Sequence, residues 1–337
     1  MRESVIGVAL LLAGAGMSAS FALPMKYTFR WKWENTWLVW TIFALLVFPP
    51  IVTYATVPRL MAVYRGAGAE SVAMVAAQGA GWGVAQIFFG LAIDSIGIAL
   101  ALSIALGISA AAGCLIPLIR LHPATLFTAA GERILVGVGL VILGVAICAV
   151  AGRRRELMLD IPGGSRHSSM TRGLSLSFLS GMGASFLNFG LAFGGRLLAS
   201  AERLGAKSFW APNVVWLPLM LAGAIPNLVY CLYLLKRNGT MACYTKSGTI
   251  GHWFLAFTMA FLWVGSTLLY GVSVERLGGW GPILGWPLFT SLVVIIASAI
   301  GVATGEWKNT GRQPLRMQLV GVATLVMSVF VLATANS

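Results

Sequence analysis

The stretch WGVAQIFFGLAIDSIG occupies residues 82–97, and WVGSTLLYGVSVERLG occupies residues 263–278. Laid side by side, they match Trp82 with Trp263, Gly90 with Gly271, the acids Asp94 and Glu275, and Gly97 with Gly278, every pair 181 residues apart. A second correspondence joins Gly16, Met17, Ala19, Ser20 and Phe21 to Gly181, Met182, Ala184, Ser185 and Phe186, at an offset of 165. Trp is uncommon, and the four matched positions keep their order, which argues against chance identity. Two copies of one unit are expected: residues 1–151 and 172–337, joined by a linker loop over 152–171 that is expected on the cytoplasmic side.

Working outward from these stretches, the chain is apolar throughout. Of 337 residues, 58% are hydrophobic and 10% charged, against about 25% charged in soluble domains. So little charge cannot cover a water-facing surface, and so apolar a chain does not stay disordered. Mean hydropathy is +0.86. The apolar runs have helical length, which excludes a transmembrane β-barrel built from alternating ten-residue segments. The four cysteines show no paired ligand spacing, so neither a disulfide framework nor a zinc site is expected.

A spanning helix needs about 20 mostly apolar residues. Ten runs qualify: 4–24, 36–57, 71–93, 95–119, 132–151, 172–195, 210–235, 250–273, 280–303 and 314–335. The fold class is therefore an all-α polytopic membrane protein. Five spans per copy is an odd number, so consecutive copies enter the membrane from opposite sides. That makes ten helices in two inverted five-helix repeats, an architecture that sets a binding site at mid-membrane depth and works by alternating access. The first run starts almost at Met1 with no small-residue cleavage site, and reads as a mature helix rather than a signal peptide.

The net charge is +13. Its cations sit in short clusters between apolar runs, as at Arg153, Arg154 and Arg155, which points to a bilayer surface and not to nucleic acid. Loops after the odd-numbered spans hold 14 basic residues and the other side holds 9. The odd loops are therefore expected to be cytoplasmic and both termini periplasmic. Gly79 with Gly83, Gly190 with Gly194, and Gly301 with Gly305 have the spacing that lets helix backbones approach. Pro49, Pro50, Pro218 and Pro226 lie within spans and favour kinks.

Motifs of metalloproteases, serine hydrolases and ATP-driven pumps are absent, so no enzyme and no organic cofactor is expected. All ten acids lie at or near span ends. A mid-span carboxylate would mark an ion relay; without one, any proton coupling falls to an acid near a helix end. Glu34, Glu306 and Asp94 are the candidates, each with interfacial ion pairing as the bland alternative.

Neutral polar and aromatic residues inside the spans are the richer set: Ser20, Trp82, Gln86, Asn188, Trp216, Asn227, Trp263, Thr267, Tyr270 and Trp286. A sugar offers hydroxyls that need donors and acceptors, and apolar C–H faces that stack on rings. Trp82 and Gln86 are four apart, on one helix face, and Trp263 and Thr267 repeat that spacing. An uncharged wall of indoles and amides fits a small neutral sugar in a lipid bilayer. For Asn188 and Asn227, hydrogen bonding between helices is the competing reading. Trp31, Trp33, Trp37, Trp210, Trp253, Trp280 and Trp307 lie near span ends and read as interface residues.

Phe21, Pro24 and Lys26, followed by Trp31, Trp33, Glu34 and Trp37, resemble the first loop of the bacterial L-rhamnose–proton symporter family. So does the segment from Gly81 and Trp82 through Gly90, Leu91 and Gly97. Glu306, Trp307, Asn309, Gly311, Arg312 and Pro314 resemble the loop before that family's last helix. The similarity runs over nearly the whole chain. The resemblance implies the drug/metabolite transporter fold and uptake of L-rhamnose or a related deoxy sugar across the inner membrane, with the proton as coupling ion. It also implies an amide where Gln86 stands. The sequence departs from the family's pattern at Ser266, where a Gln is expected, and near Pro282, where an Asp is expected. An exporter of metabolites or drugs from the same superfamily, and a sugar facilitator without proton coupling, are the alternatives.

Overall fold

The computed structural model describes residues 2–159, 170–308 and 310–335. Among the described residues, fourteen α-helices follow one another. They are α1 (Arg2–Ser20), α2 (Trp33–Thr41), α3 (Phe48–Thr56), α4 (Leu60–Ala67), α5 (Ala69–Ile96), α6 (Ile98–Leu121) and α7 (Ala129–Met158). After the linker come α8 (Met170–Ala184), α9 (Phe186–Phe193), α10 (Gly195–Arg203), α11 (Asn213–Asn238), α12 (Ile250–Arg276), α13 (Gly281–Ala303) and α14 (Arg312–Thr334).

Ten of the segments so formed are long and apolar enough to cross a membrane, among the described residues, and they coincide with the ten runs read from the sequence. Their outer faces are apolar: Ile225, Val229 and Tyr233, four apart along α11, are 62%, 63% and 55% exposed. Such a stripe is untenable in water and ordinary in lipid. The protein is a multi-pass membrane protein.

Local irregularities follow from residue chemistry. Between α2 and α3 the helix widens to a π segment over Ile42–Val47, where the Phe48 N–H donates to the Phe43 carbonyl five residues back. Pro49 and Pro50 supply no N–H and crowd the preceding turn, so the wider turn absorbs them. Three other membrane helices carry prolines inside them: Pro117 in α6, Pro218 and Pro226 in α11, and Pro287 in α13. Span six breaks at Ser185, whose hydroxyl donates to the Gly181 and Ser109 carbonyls at 3.3 and 3.1 Å. Its counterpart in the repeat, Ser20, is the last residue of α1.

The chain forms two compact units, and neither is a sequence half: one combines residues 1–84 with 190–277, the other 85–189 with 278–337. In the first, α1 packs along α12, and α11 packs on α2 and α3. A Cβ on Gly79 would strike the Leu219 backbone, and one on Gly83 the Gly223 carbonyl. Here α5 and α11 touch backbone to backbone, as small-residue spacing allows. In the second, α7 packs along α14: Gly137 and Gly144 receive Leu332 and Leu325, and Gly321 receives the Cys148 thiol. The α13 helix packs on α6 and α14.

The structure corrects the expected loop and one glycine pair. The expected 152–171 loop starts later, because α7 runs to Met158. Arg153, Arg154 and Arg155 extend the helix as good helix formers, and Glu156 locks its end by accepting the Ala99 N–H at 3.1 Å. Residues 160–169 lie outside the described residues. Gly301 and Gly305 do not bring two helices together. Gly305 has φ +77 in the turn after α13, and Gly301 faces Glu306 and Trp307 of that same turn.

Loops on one side meet within each unit. In the first, the segment after span one clasps the segment after span seven. The Trp31 indole N–H donates to the Cys243 carbonyl at 3.1 Å, and the Asn35 amide to the Thr240 carbonyl at 3.0 Å. The Arg30 N–H donates to His252 Nε2 at 3.3 Å and the Arg30 guanidinium to the Ser247 carbonyl. Tyr244, whose hydroxyl burial pushes up to about 12, donates to the Asn35 carbonyl. Trp31 is thus the buried centre of this clasp, edge-on to Tyr244, His252 and Trp253, and not an interface residue. At the even-numbered loops, α4 and α10 pair through the Ser200 hydroxyl and the Val63 carbonyl at 2.8 Å.

Candidate functional site

In the first unit, five indoles run in contact from the surface inward. Trp33 stacks on Trp37 with ring centroids 5.2 Å apart, and Trp37 lies 4.5 Å from Trp40. Trp40 meets Trp263 edge-on at 5.3 Å, and Trp263 stacks on Trp82 at 5.4 Å with planes 25° apart. Exposure falls from 37% at Trp33 to 1% at Trp40 and Trp82. Positions 33, 37 and 40 share one face of span two, since helical neighbours recur every three or four residues. Trp82 packs against α11 at Gly223, where a Cβ would lie 2.9 Å from its ring.

Polar groups surround this chain. Trp37 donates its N–H to Asn227 Oδ1 at 3.0 Å, and Asn227 donates to the Gly223 carbonyl at 2.9 Å. Thr267, one turn after Trp263, donates to the Trp263 carbonyl at 2.9 Å. Tyr270 is buried on the same helix. The Trp40 and Trp216 N–H groups and the Gln78 carbonyl oxygen are buried with no hydrogen-bond partner. Ser20 is half-buried at the end of α1.

The second unit holds a different cluster. Asn188 donates both amide hydrogens, to the Gly113 carbonyl at 2.7 Å and the Pro282 carbonyl at 2.8 Å. The Trp286 N–H donates to the carbonyl and hydroxyl oxygens of Ser109 at 3.1 and 3.0 Å, with its ring against Gly113, where no Cβ would fit. Here α6, α9 and α13 are tied together by side chains whose donors are committed to the protein. Gln86 is half-buried one turn beyond Trp82 along α5.

The three coupling candidates differ sharply. Glu34 is 4% exposed and its Oε1 accepts from the Asn238 amide at 2.9 Å and the Thr240 hydroxyl at 2.8 Å. Glu306 lies 3.5 Å from the Arg155 guanidinium, which also donates to its carbonyl. Asp94 is exposed.

The family model for L-rhamnose-proton symport protein (RhaT) matches residues 1–336. The chain belongs to the L-rhamnose-proton symport protein family. It is similar to a protein named L-rhamnose-proton symporter in Mannheimia succiniciproducens, 25% identical over 331 residues that make up 96% of each chain. A protein of the same name in Cronobacter sakazakii is 26% identical over 330 residues, 96% of this chain and 95% of that one. Another in Klebsiella pneumoniae gives the same identity and coverage. The family is one of symporters, not of enzymes.

Set against this symporter family, the structure brings Trp82 and Trp263 into one stack with Thr267 and Tyr270 beside it. Asn188 and Trp286 meet in a separate cluster. Sequence reasoning missed Trp40 and Gln78. The signal for Trp40 was present in its seven-residue spacing from Trp33; for Gln78, its place one turn before Trp82 was the only cue.

Proposed function

We propose that this chain takes up L-rhamnose, or a related deoxy sugar, with protons across the inner membrane by alternating access. The observation that carries the reading is the Trp82–Trp263 stack, set among uncharged donors and acceptors in a chain of this family. Stacked indoles receive the C–H face of a pyranose, and the amides and indole N–H groups answer its hydroxyls. An organic ion would find no partner of opposite charge there. In the first unit, Ser20, Thr267 and Tyr270 are the further candidates for the polar wall; in the second, Gln86, Asn188 and Trp286 are candidate sugar contacts, Asn188 and Trp286 also fixing α6, α9 and α13.

The five-span inverted repeat, 1–151 and 172–337, is supported by the matched turns. Gly97 and Gly278, 181 residues apart, both have positive φ, at +85 and +70. It is supported too by the pairing of like with like: spans two and seven, four and nine, and five and ten each pack on one another, as elements near a pseudo-twofold axis do. The clasp between the loops after spans one and seven, and the Arg155–Glu306 pair joining the ends of spans five and nine, support odd loops sharing one side. Basic-residue counting makes that side cytoplasmic and the termini periplasmic.

Glu34 is the favoured coupling acid. It is buried and held by neutral partners, whereas Glu306 is ion-paired and Asp94 exposed. The test is uptake of labelled L-rhamnose by proteoliposomes containing the protein. Saturable uptake that accelerates when the outer medium is acidified is expected, together with alkalinisation of a lightly buffered medium on adding sugar. Vesicles that take up no monosaccharide under any imposed gradient would refute the reading.

A further inference from the structure

We propose that Gln78 and Trp216 are specificity-determining residues, which bind hydroxyls of the sugar at a level one to two helical turns from the Trp82–Trp263 stack. The inference rests on the sugar-transport reading above and extends its site.

Among the described residues, five buried side-chain atoms lack a hydrogen-bond partner: Trp40 Nε1, Thr41 Oγ1, Gln78 Oε1, Trp216 Nε1 and Ser291 Oγ. Four of them belong to the first unit, which also contains the indole chain. Native proteins leave few such groups, because each forfeits its hydration and receives nothing in return. A helical Ser or Thr hydroxyl has a local outlet, since it can turn to the carbonyl a turn back. An amide oxygen and an indole N–H in a helix have none, as neither can reach its own backbone carbonyl ladder usefully: one is an acceptor only, and the other projects from the far side of a large ring. The second unit commits the donors of Asn188 and the indole of Trp286 to backbone or Ser109, so the fold does close such bonds where it uses them for packing.

The two groups share a level. Gly79 meets Leu219 and Gly83 meets Gly223, so α5 and α11 run in the same direction in this register. A Cβ on Gly190 would lie 3.7 Å from Gln78 Oε1, 3.3 Å from Val215 and 2.5 Å from Leu219, which puts the Gln78 carbonyl beside the turn that carries Trp216. A Cβ on Gly271 would lie 3.0 Å from Trp216 Nε1, two turns along α12 from Trp263. The offset from the stack is four residues along α5 and eight along α12, or about 6–12 Å at 1.5 Å per residue. Indole faces at one level, with one acceptor and one donor at the next, make a set that a polyol satisfies, because each of its hydroxyls can give or take a hydrogen bond. An anion suits only the N–H and a cation only the carbonyl. The ligand class is a neutral polyhydroxylated solute that the protein encloses.

The test compares the full chain with Trp216→Phe and Gln78→Leu, in detergent, by thermal unfolding and L-rhamnose titration. Trp216→Phe deletes an unpartnered N–H and keeps an aromatic ring; Gln78→Leu replaces the amide, its unpartnered Oε1 included, by an apolar side chain. Without sugar, both are expected to unfold at or above the wild-type midpoint, because the buried unpaired group is gone. With sugar, each is expected to bind about tenfold more weakly, the loss of one hydrogen bond. Wild-type binding with unchanged affinity in both variants overturns this inference and leaves the transport reading standing. A fall in the sugar-free midpoint of both variants overturns it too, since the groups would then be structural. A wild-type chain that binds no monosaccharide overturns the transport reading, and this inference with it.

Discussion

The Trp40 indole stands edge-on to Trp263, with centroids 5.3 Å apart and planes at 77°, while Trp263 lies nearly parallel to Trp82 on its other contact. Trp40 therefore fixes the tilt of the ring on which a sugar would stack. Its own N–H has no partner, so the ring and not the hydrogen bond carries this role. Trp40→Ala is expected to open a cavity and cost about 3–5 kcal/mol of stability, measured by thermal or denaturant unfolding, along with loss of uptake. Trp40→Phe retains an edge-on ring and is expected to retain most of both. Equal loss in the two variants would show that the indole is needed for something other than support.

Asn188 invites the opposite expectation to Gln78. Both of its amide hydrogens are spent on the Gly113 and Pro282 carbonyls. Asn188→Leu removes two interhelical hydrogen bonds, each worth roughly 1 kcal/mol in a membrane protein, and strands the Gly113 carbonyl, because Pro117, four residues on, has no N–H to offer it. The expected result is a lower unfolding midpoint in the absence of sugar. The affinity of the surviving folded fraction should stay near wild type, as read from L-rhamnose titrations. A weakened affinity at unchanged stability would place Asn188 in direct contact with the ligand.

Gly79 and Gly16 make a matched pair for the close-packing argument. A Cβ at Gly79 would run into the Leu219 backbone, whereas one at Gly16 meets nothing within 4 Å. Gly79→Ala is expected to destabilise by about 1–3 kcal/mol, as overpacking does, and to slow transport by prising α5 from α11. Gly16→Ala is expected to leave the unfolding midpoint within error of wild type. Its repeat partner Gly181 differs, because a Cβ there would lie 2.7 Å from the Ala105 carbonyl, so Gly181→Ala should resemble Gly79→Ala.

The spans were legible because lipid leaves no choice: an uninterrupted helix of about twenty apolar residues is what satisfies every backbone group in hydrocarbon. The pairing of Trp82 with Trp263 was legible through their shared offset, a signal that survives any amount of neutral substitution around them. Asn188 was legible as a polar residue in a span but not as a committed one, since a backbone carbonyl acceptor has no signature in sequence. Trp31 looked like an interface residue because it lies near a span end. Its burial comes from a segment more than two hundred residues away, through Cys243. The compact units were hidden for the same reason: each draws on both halves of the chain, and sequence adjacency says nothing of which helices pack together.

Glu34 is where proton coupling can be separated from sugar binding. Its carboxylate sits at the start of span two, next to Trp33, and takes hydrogen bonds from Asn238 at 2.9 Å and Thr240 at 2.8 Å. Glu34→Gln preserves shape and an acceptor oxygen for those donors, so the fold and the sugar site should persist, but the side chain can no longer take up and release a proton. The variant is expected to exchange labelled for unlabelled L-rhamnose across vesicles at near wild-type rate, because exchange needs no net proton movement. Accumulation above the external concentration under an acid-outside gradient should vanish, and the medium should no longer alkalinise when sugar is added. Glu306→Gln and Asp94→Asn are expected to accumulate sugar normally, since the first loses only a partly exposed pair with Arg155 and the second an exposed charge. Undiminished accumulation by Glu34→Gln, with loss in either of the other two, would transfer the coupling role to that acid.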